Sequence, residues 1–80
     1  MDRIKKFLRR LSPKLRTAVM RTMQNIMKGN FAGLDIKPLT GKKGWYRCRT
    51  GDIRIVFVRT GAGMHVIYDI QFRDRAYRGL

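Results

Sequence analysis

The segment from Gly44 to Arg59 constrains the fold more than any other part of the chain. It contains two runs, WYRCRT and IRIVFVR, that are rich in β-branched and aromatic residues and are separated by Gly51-Asp52. Such runs are typical of β-strands, and a Gly-Asp pair between them favours a tight hairpin turn. The sequence therefore predicts two antiparallel strands, Gly44 to Thr50 and Ile53 to Arg59, joined by this turn.

The turn decides which side chains share a face of the predicted hairpin. Arg49 lies opposite Arg54, and Arg47 lies opposite Val56, so all three arginines project to one side. The other side carries the residues expected to pack on the helices, which are Tyr46, Cys48, Ile53, Ile55 and Phe57. Neighbouring arginines repel one another unless an anion lies between them, so we interpret their face as a phosphate-binding surface. The alternative is an exposed basic face whose arginine stems cover apolar surface.

A third strand, Met64 to Phe72, is predicted to follow a loose hairpin loop. A loop formed by Thr60 to Gly63 would place Asp69 opposite Arg54 and His65 opposite Val58. The core face would then gain Met64, Val66, Tyr68, Ile70 and Phe72, and the basic face would gain His65, Ile67, Asp69, Gln71 and Arg73. A one-residue error in the loop would exchange these two sets, because side chains alternate along a strand.

Two helices are predicted before the strands. Apolar residues at helical spacing indicate a short helix from Asp2 to Leu11, and Ser12-Pro13 supplies the cap and first residue of a second helix. The second helix is expected to end near Lys28, where Gly29-Asn30 follows. Its expected buried stripe is Leu15, Ala18, Val19, Thr22, Met23 and Ile26, with Met20 and Met27 as further core residues.

The remaining segment, Phe31 to Lys43, predicts an irregular connection. The sequence as a whole thus predicts a single α+β domain over residues 1–80, with an N-terminal helical hairpin packed on a small antiparallel sheet.

The charge of the chain points to a polyanionic partner. The chain has nineteen Lys and Arg residues and five acidic residues, which gives a formal net charge of +14. So strong an imbalance favours nucleic acid as the partner. The single Cys fits a reducing compartment, and no stretch resembles a secretory signal or a membrane span, so we expect a cytoplasmic protein. The first helix is basic and amphipathic, but its apolar stripe is needed to cover the sheet, so we expect no membrane partner.

The residue types limit the possible chemistry. One His and one Cys cannot form a zinc site, and scattered Asp residues do not form a two-metal nuclease, so we expect neither metal nor cofactor. Metal-free RNA cleavage by the 2′-hydroxyl remains possible, and it needs a base, an acid and charge stabilisation. Tyr77 could be the base if nearby cations lower its pKa. An equally good interpretation is that its aromatic ring only packs against the protein near the C-terminus. Trp45 could stack on a base or shield the sheet edge, and shielding is the preferred interpretation.

The segment from Ile36 to Arg78 resembles the RelE/ParE superfamily of bacterial toxins from toxin–antitoxin pairs. The resemblance rests on Arg-x-Arg after an aromatic residue, on Gly-Asp-x-Arg, and on a final Arg-x-x-x-Tyr-Arg, within KPLTGKKGWYRCRTGDIRIVF and DIQFRDRAYR. The preceding helices fit the same family. The RelE branch implies an mRNA endonuclease that acts in the ribosomal A site and is neutralised by an acidic antitoxin in a hetero-oligomer.

The resemblance also implies roles for individual residues. Tyr77 would be the base toward the 2′-hydroxyl, Arg73 the acid or leaving-group stabiliser, and Arg54 the holder of the scissile phosphate. The residues implied or expected to bind the flanking RNA are Arg47, Arg49, Lys42, Lys43 and Arg75.

Two departures from the family pattern accompany the resemblance. Many relatives have Gly-His or a basic residue before the late arginine, where this chain has Gln71-Phe72. Relatives also usually carry a strand before the first helix, and we expect this chain to lack it. The alternatives are a ParE-like inhibitor that binds DNA gyrase without catalysis, and an inactive basic RNA-binding relative.

Overall fold

The computed structural model describes residues 3–72, which form two helices followed by four strands. The elements are α1 (Arg3–Arg9), α2 (Pro13–Met27), β1 (Asp35–Pro38), β2 (Trp45–Thr50), β3 (Ile53–Arg59) and β4 (His65–Phe72). The strands form one antiparallel sheet in the order β1-β2-β3-β4. Both helices pack on the same face of this sheet. The predicted α+β class, with helices preceding an antiparallel sheet, is confirmed.

Local signals in the sequence set both ends of α2. The Ser12 hydroxyl accepts a hydrogen bond from the Leu15 N–H at 3.3 Å, and Pro13 is the first helical residue. At the other end, Gly29 has a φ of 77° and its N–H donates to the Ile26 carbonyl, while the Asn30 N–H donates to the Asn25 carbonyl at 2.8 Å. This pair of bonds is a Schellman motif, which requires a left-handed residue. The predicted start and stop of α2 are confirmed.

The β2–β3 hairpin has the predicted register. Arg49 pairs with Arg54, Cys48 with Ile55, and Arg47 with Val56. Among Gly51 and Asp52, only Gly51 has a positive φ, of 59°, which is the pattern of a type II′ turn with glycine first.

The connection between α2 and β2 contains a strand that the sequence analysis missed. Asp35–Pro38 pairs with β2, so the prediction of an irregular connection over Phe31 to Lys43 is wrong for these four residues. Only Ile36 in β1 is partly buried, while its neighbours Asp35, Lys37 and Pro38 are exposed. One apolar residue gives no alternating pattern, and Pro is tolerated here because β1 lies at a sheet edge.

The predicted register of β4 is wrong for two reasons, a longer loop and a bulge. Arg59 pairs with His65 rather than with Met64, so β4 is already shifted by one residue where it leaves the loop, and the bulge shifts it by one more. Val56 pairs with Asp69 but Phe57 pairs with Ile67, so Tyr68 is an extra residue on β4. Arg54 therefore lies opposite Gln71 rather than Asp69, and Val58 lies opposite Val66 rather than His65.

The one-residue shift at the loop exchanges the faces of the first half of β4, and the bulge restores the predicted faces beyond it. Ile67 and His65 turn toward the core side, where the His65 ring lies 5.9 Å from that of Phe57. Tyr68, Val66 and Met64 are exposed, contrary to the prediction. Ile70 and Phe72, beyond the bulge, pack in or against the core as predicted.

The core lies between the helices and the sheet. Its buried members are Phe7, Leu11, Val19, Ile26, Cys48, Ile53, Ile55, Phe57 and Ile70. Of the predicted α2 stripe, Val19 and Ile26 are fully buried and Met23 packs against the core, but Leu15 and Ala18 are exposed. Met20 and Met27, predicted as core residues, are also exposed, since they project from the flank of a helix that contacts the sheet along a narrow stripe.

Candidate nucleic-acid interface

The face of the sheet opposite the helices, here called the outer face, carries the arginines in rows that run across the strands. Strand pairing aligns Asp35, Arg49, Arg54 and Gln71 in one row, and Lys37, Arg47, Val56 and Asp69 in the next row. A third row contains Trp45, Val58 and Val66. Directly opposed residues project to the same side of a sheet, so the register alone brings these side chains together.

Arg49 and Arg54 form the most concentrated positive charge on the outer face. They are directly opposed on β2 and β3, which places their Cβ atoms about 5 Å apart. Arg49 is exposed and Arg54 is partly buried. The Arg54 Nε is buried, and within residues 3–72 it has no hydrogen-bond partner. A buried guanidinium N–H without a partner favours an anion that can accept its hydrogen bond.

Arg47 has a different environment from its two neighbours. It is 9% exposed, and its Nη1 lies 3.5 Å from a carboxylate oxygen of Asp35. The same Nη1 donates to the Asp35 carbonyl at 3.4 Å. Asp35 thus offsets the charge of Arg47 and holds the guanidinium against β1. Binding of RNA by Arg47 stays a prediction. The contacts observed for its guanidinium join β2 to β1.

The same pair of side chains affects the single cysteine. Burial raises the pKa of the Cys48 thiol above its ordinary value, the negative charge of Asp35 raises it further, and Arg47 partly opposes both effects. Cys48 is fully buried beneath the outer face, as expected for a small apolar residue in the core.

Lys37 is a cation of the outer face that the sequence analysis missed. It lies opposite Arg47 and is exposed. The only available signal was the placement of Ile36 between two charged residues, which is too short a pattern to predict a strand. Lys42 and Lys43, predicted to bind RNA, are exposed in the loop that precedes β2, and the Lys42 Nζ lies 4.8 Å from the Trp45 ring centroid.

Asp69 does not lie opposite Arg54, contrary to the predicted register, and so does not offset the charge of the arginine pair. It lies opposite Val56, one row away from Arg54, and one of its carboxylate oxygens lies 4.0 Å from the Arg3 guanidinium. Gln71 takes the position beside Arg54, so that neighbour is neutral. Asp35 lies opposite Arg49 at the other end of the row, but its carboxylate is 3.5 Å from the Arg47 guanidinium, so within residues 3–72 neither Arg49 nor Arg54 forms an ion pair.

Three predicted site residues, Arg73, Arg75 and Tyr77, lie outside the described residues. Within residues 3–72, no cluster of three or more His, Cys, Asp or Glu side chains is placed to hold a metal ion. In the same range, no helix has the length and apolar character needed to cross a membrane.

Comparison with solved structures identifies a neighbour of the whole domain. A chain from the crystal structure of the RelB–RelE antitoxin–toxin complex of Methanococcus jannaschii superposes with a TM-score of 0.80 at 20% identity. The match covers 100% of this chain and 95% of that chain. The fold is RelE-like. No protein-family model and no curated protein sequence matches the chain.

The RelE-like fold confirms, at the level of architecture, the resemblance that the sequence motifs indicated. Two of those motifs meet at the β2–β3 turn: Arg-x-Arg lies in β2 before the turn, and Gly-Asp-x-Arg contains the turn and the start of β3. The turn places Arg49 and Arg54, one from each motif, in direct opposition. The motif spacing therefore has a structural reason, since it aligns two guanidinium groups across a hairpin.

Proposed function

We propose that the protein is the toxin of a toxin–antitoxin pair and that it cleaves mRNA in the ribosomal A site. One observation carries the proposal: the opposed Arg49 and Arg54 lie on the outer face of a RelE-like sheet, and the buried Arg54 Nε lacks a partner among residues 3–72. Two guanidinium groups at this separation suit a phosphodiester, whose oxygens accept several hydrogen bonds at once.

The proposed reaction uses the chemistry of RNA itself. The 2′-oxygen attacks the adjacent phosphorus, the bond to the 5′-oxygen breaks, and the products are a 2′,3′-cyclic phosphate and a 5′-hydroxyl. Tyr77 would accept the proton of the 2′-hydroxyl, and Arg73 would donate to the leaving oxygen. Arg49 and Arg54 would stabilise the negative charge that develops on the phosphate oxygens. No metal or cofactor takes part in this scheme.

The proposed protein partner is an acidic antitoxin. The structural neighbour was solved as an antitoxin–toxin complex, which supports such a partner for this chain. The net charge of +14 would attract an acidic polypeptide as well as RNA. Binding of such a partner over the basic outer face would block access of RNA to Arg49 and Arg54.

Induced expression in bacteria tests the proposal. We expect growth arrest together with mRNAs cut within codons, and we expect both effects to be lost in Arg54→Ala and Tyr77→Phe. The matched control is Arg21→Ala, which removes one exposed charge from α2 and should leave toxicity intact.

Two results would contradict the proposal. One is growth arrest that persists in all the site variants. The other is DNA damage with intact mRNA, which would favour the gyrase-inhibitor alternative.

A further inference from the structure

One end of the outer face is apolar and aromatic rather than charged. Its members, here called the aromatic patch, are Trp45, Val58, Val66 and Tyr68. Cross-strand pairing aligns Trp45, Val58 and Val66, and the Trp45 and Tyr68 ring centroids are 4.8 Å apart at an interplanar angle of 72°. Tyr68 is 53% exposed and Val66 is 48% exposed. Large apolar side chains grouped on an exposed sheet face indicate a contact surface.

The register with which β4 leaves the β3–β4 loop places Tyr68 in the aromatic patch. Val66 lies opposite Val58 on the outer face, and alternation along β4 directs Tyr68, two residues further on, to the same side. Tyr68 is accordingly exposed and contacts Trp45, while Ile67 packs against the core. Tyr68 is also the extra residue of the bulge, and bulges are over-represented next to functional sites.

Cations border the aromatic patch on two sides. On the loop side, Lys42 lies over the Trp45 ring and Lys43 is exposed. Along the strands in the other direction are Arg49 and Arg54, with Lys37 on the adjacent strand.

Acidic groups are few on this face and already paired. The aromatic patch itself contains none, and the two that the outer face presents within the described range, Asp35 and Asp69, each lie near an arginine. The surface is therefore complementary to a chain that carries negative charge on both sides of an aromatic or apolar group.

We propose that the aromatic patch is a base-stacking subsite for single-stranded RNA, next to the phosphate held by Arg49 and Arg54. The inference rests on the proposed function and adds a second class of contact to it. Aromatic side chains beside a cationic track are the usual means of binding single-stranded nucleic acid, because every base offers a π face and every nucleotide a charge. Tyr68 presents the exposed ring, and Trp45 supports it from one side.

The single tryptophan of the chain makes this subsite directly observable. Trp45 fluorescence is titrated with a 2′-O-methylated RNA oligonucleotide, which cannot undergo attack by the 2′-oxygen. A parallel titration uses an abasic oligonucleotide of equal length, which keeps the charges and lacks the bases. We expect the first to quench Trp45 emission and the second to bind by charge without quenching.

Variants test the same subsite by affinity. Tyr68→Ala should weaken binding of the RNA oligonucleotide about fivefold to a hundredfold, and Tyr68→Phe, which keeps the ring, should restore it. Met27→Ala is the matched control, because it removes an exposed apolar side chain from α2. We expect it to bind RNA as the unaltered protein does.

The outcomes separate this inference from the proposed function. If RNA binds in an Arg54-dependent manner, but Trp45 emission and the affinity of Tyr68→Ala are unchanged, the stacking subsite is overturned and the aromatic patch is left to a protein partner. If no Arg54-dependent RNA binding occurs at all, the proposed function and the subsite fail together.

Discussion

Arg47 and Arg49 lie two residues apart on β2, and their surroundings give them different roles. Arg47 is almost fully buried and is held by Asp35, whereas Arg49 is exposed beside Arg54. We expect Arg47→Ala to lower the free energy of unfolding by about 1 to 2 kcal/mol, because it removes hydrogen bonds to a charged group and leaves a gap against β1. Arg49→Ala should change stability by less than about 0.5 kcal/mol. Urea denaturation measures both.

Measurements of RNA affinity should rank the two variants in the opposite order to measurements of stability. Arg49→Ala should weaken RNA binding while the protein stays fully folded. Asp35→Asn serves as a control, since it weakens the Arg47 contact without removing any cation. If Arg47→Ala and Arg49→Ala lowered the free energy of unfolding equally, the contact between Arg47 and Asp35 would not contribute to stability.

The buried Cys48 thiol should make the fold sensitive to alkaline pH. Its pKa is raised in the folded state, so the unfolded chain loses the thiol proton at a lower pH than the folded chain. The stabilising contribution is complete below the unfolded pKa and is lost as the pH rises toward the folded pKa. We expect the free energy of unfolding to fall as the pH rises above about 8.5, the ordinary pKa of a thiol. Denaturation curves over this range measure it.

Cys48→Ala isolates the thiol from the other groups that titrate at alkaline pH. This variant should be less stable at every pH, because it leaves a small cavity, but its decline with pH should be shallower. Parallel pH profiles for the two proteins would contradict the assigned role of the thiol.

At the scale of elements, one side chain joins the two helices. The Arg16 guanidinium donates to the carbonyls of Leu8 at 2.9 Å, Leu11 at 3.0 Å and Arg9 at 3.4 Å. These carbonyls lie in the last turn of α1 and just beyond it, where the α-helical hydrogen bonds end, and the Leu8 carbonyl also accepts from the Leu11 N–H at 3.1 Å. Arg16→Ala should destabilise the protein by about 1 to 3 kcal/mol, measured by urea denaturation.

The controls for this contact lie in the same helix. Arg16→Lys keeps the charge but cannot reach three acceptors, so we expect an intermediate loss of stability. Arg21→Ala, exposed on the other side of α2, should lie within about 0.5 kcal/mol of the unaltered protein. A similar loss in Arg16→Ala and Arg21→Ala would show that helix charge, and not the carbonyl contacts, is responsible.

The strands differ in how much of their arrangement the sequence predicts. The β2–β3 hairpin is predictable residue by residue, because Gly51-Asp52 fixes the turn and the turn fixes the register. β4 is predictable as a strand, but its register is not, because no sequence signal fixes the length of the loop after Arg59 or the extra residue at Tyr68. β1 is not predictable from the sequence, because it contains a single partly buried apolar residue, Ile36. It forms a strand by pairing with β2, which a local pattern does not show.

The candidate site likewise has a part that the sequence predicts and a part that only the structure shows. The opposition of Arg49 and Arg54 follows from the hairpin and is predictable. The neutralisation of Arg47 and the position of Lys37 depend on β1, and the exposure of Tyr68 depends on the register at the β3–β4 loop, so all three require the structure. Local turn chemistry is encoded in a few residues, whereas edge strands and bulges depend on pairing with distant residues.

At the scale of the whole molecule, a net charge of +14 attracts any polyanion, so charge alone does not define a site. The fold concentrates part of that charge on the outer face, where Arg49 and Arg54 are opposed. It distributes other cations over the exposed surfaces of α1 and α2, including Arg21, and places Lys28 directly after α2. RNA binding that uses the outer face should therefore depend on which cation is removed.

The salt dependence of RNA affinity tests this central claim most directly. The affinity of a 2′-O-methylated single-stranded RNA is measured at several salt concentrations for the unaltered protein, Arg49→Ala, Arg54→Ala and Arg21→Ala. We predict that each outer-face variant lowers the slope of log affinity against log salt by about 0.7, the value for one lost contact with a single strand, and that Arg21→Ala leaves the slope unchanged. An equal reduction of the slope in Arg21→Ala would contradict the claim, because RNA would then be held by net charge and not by the outer face.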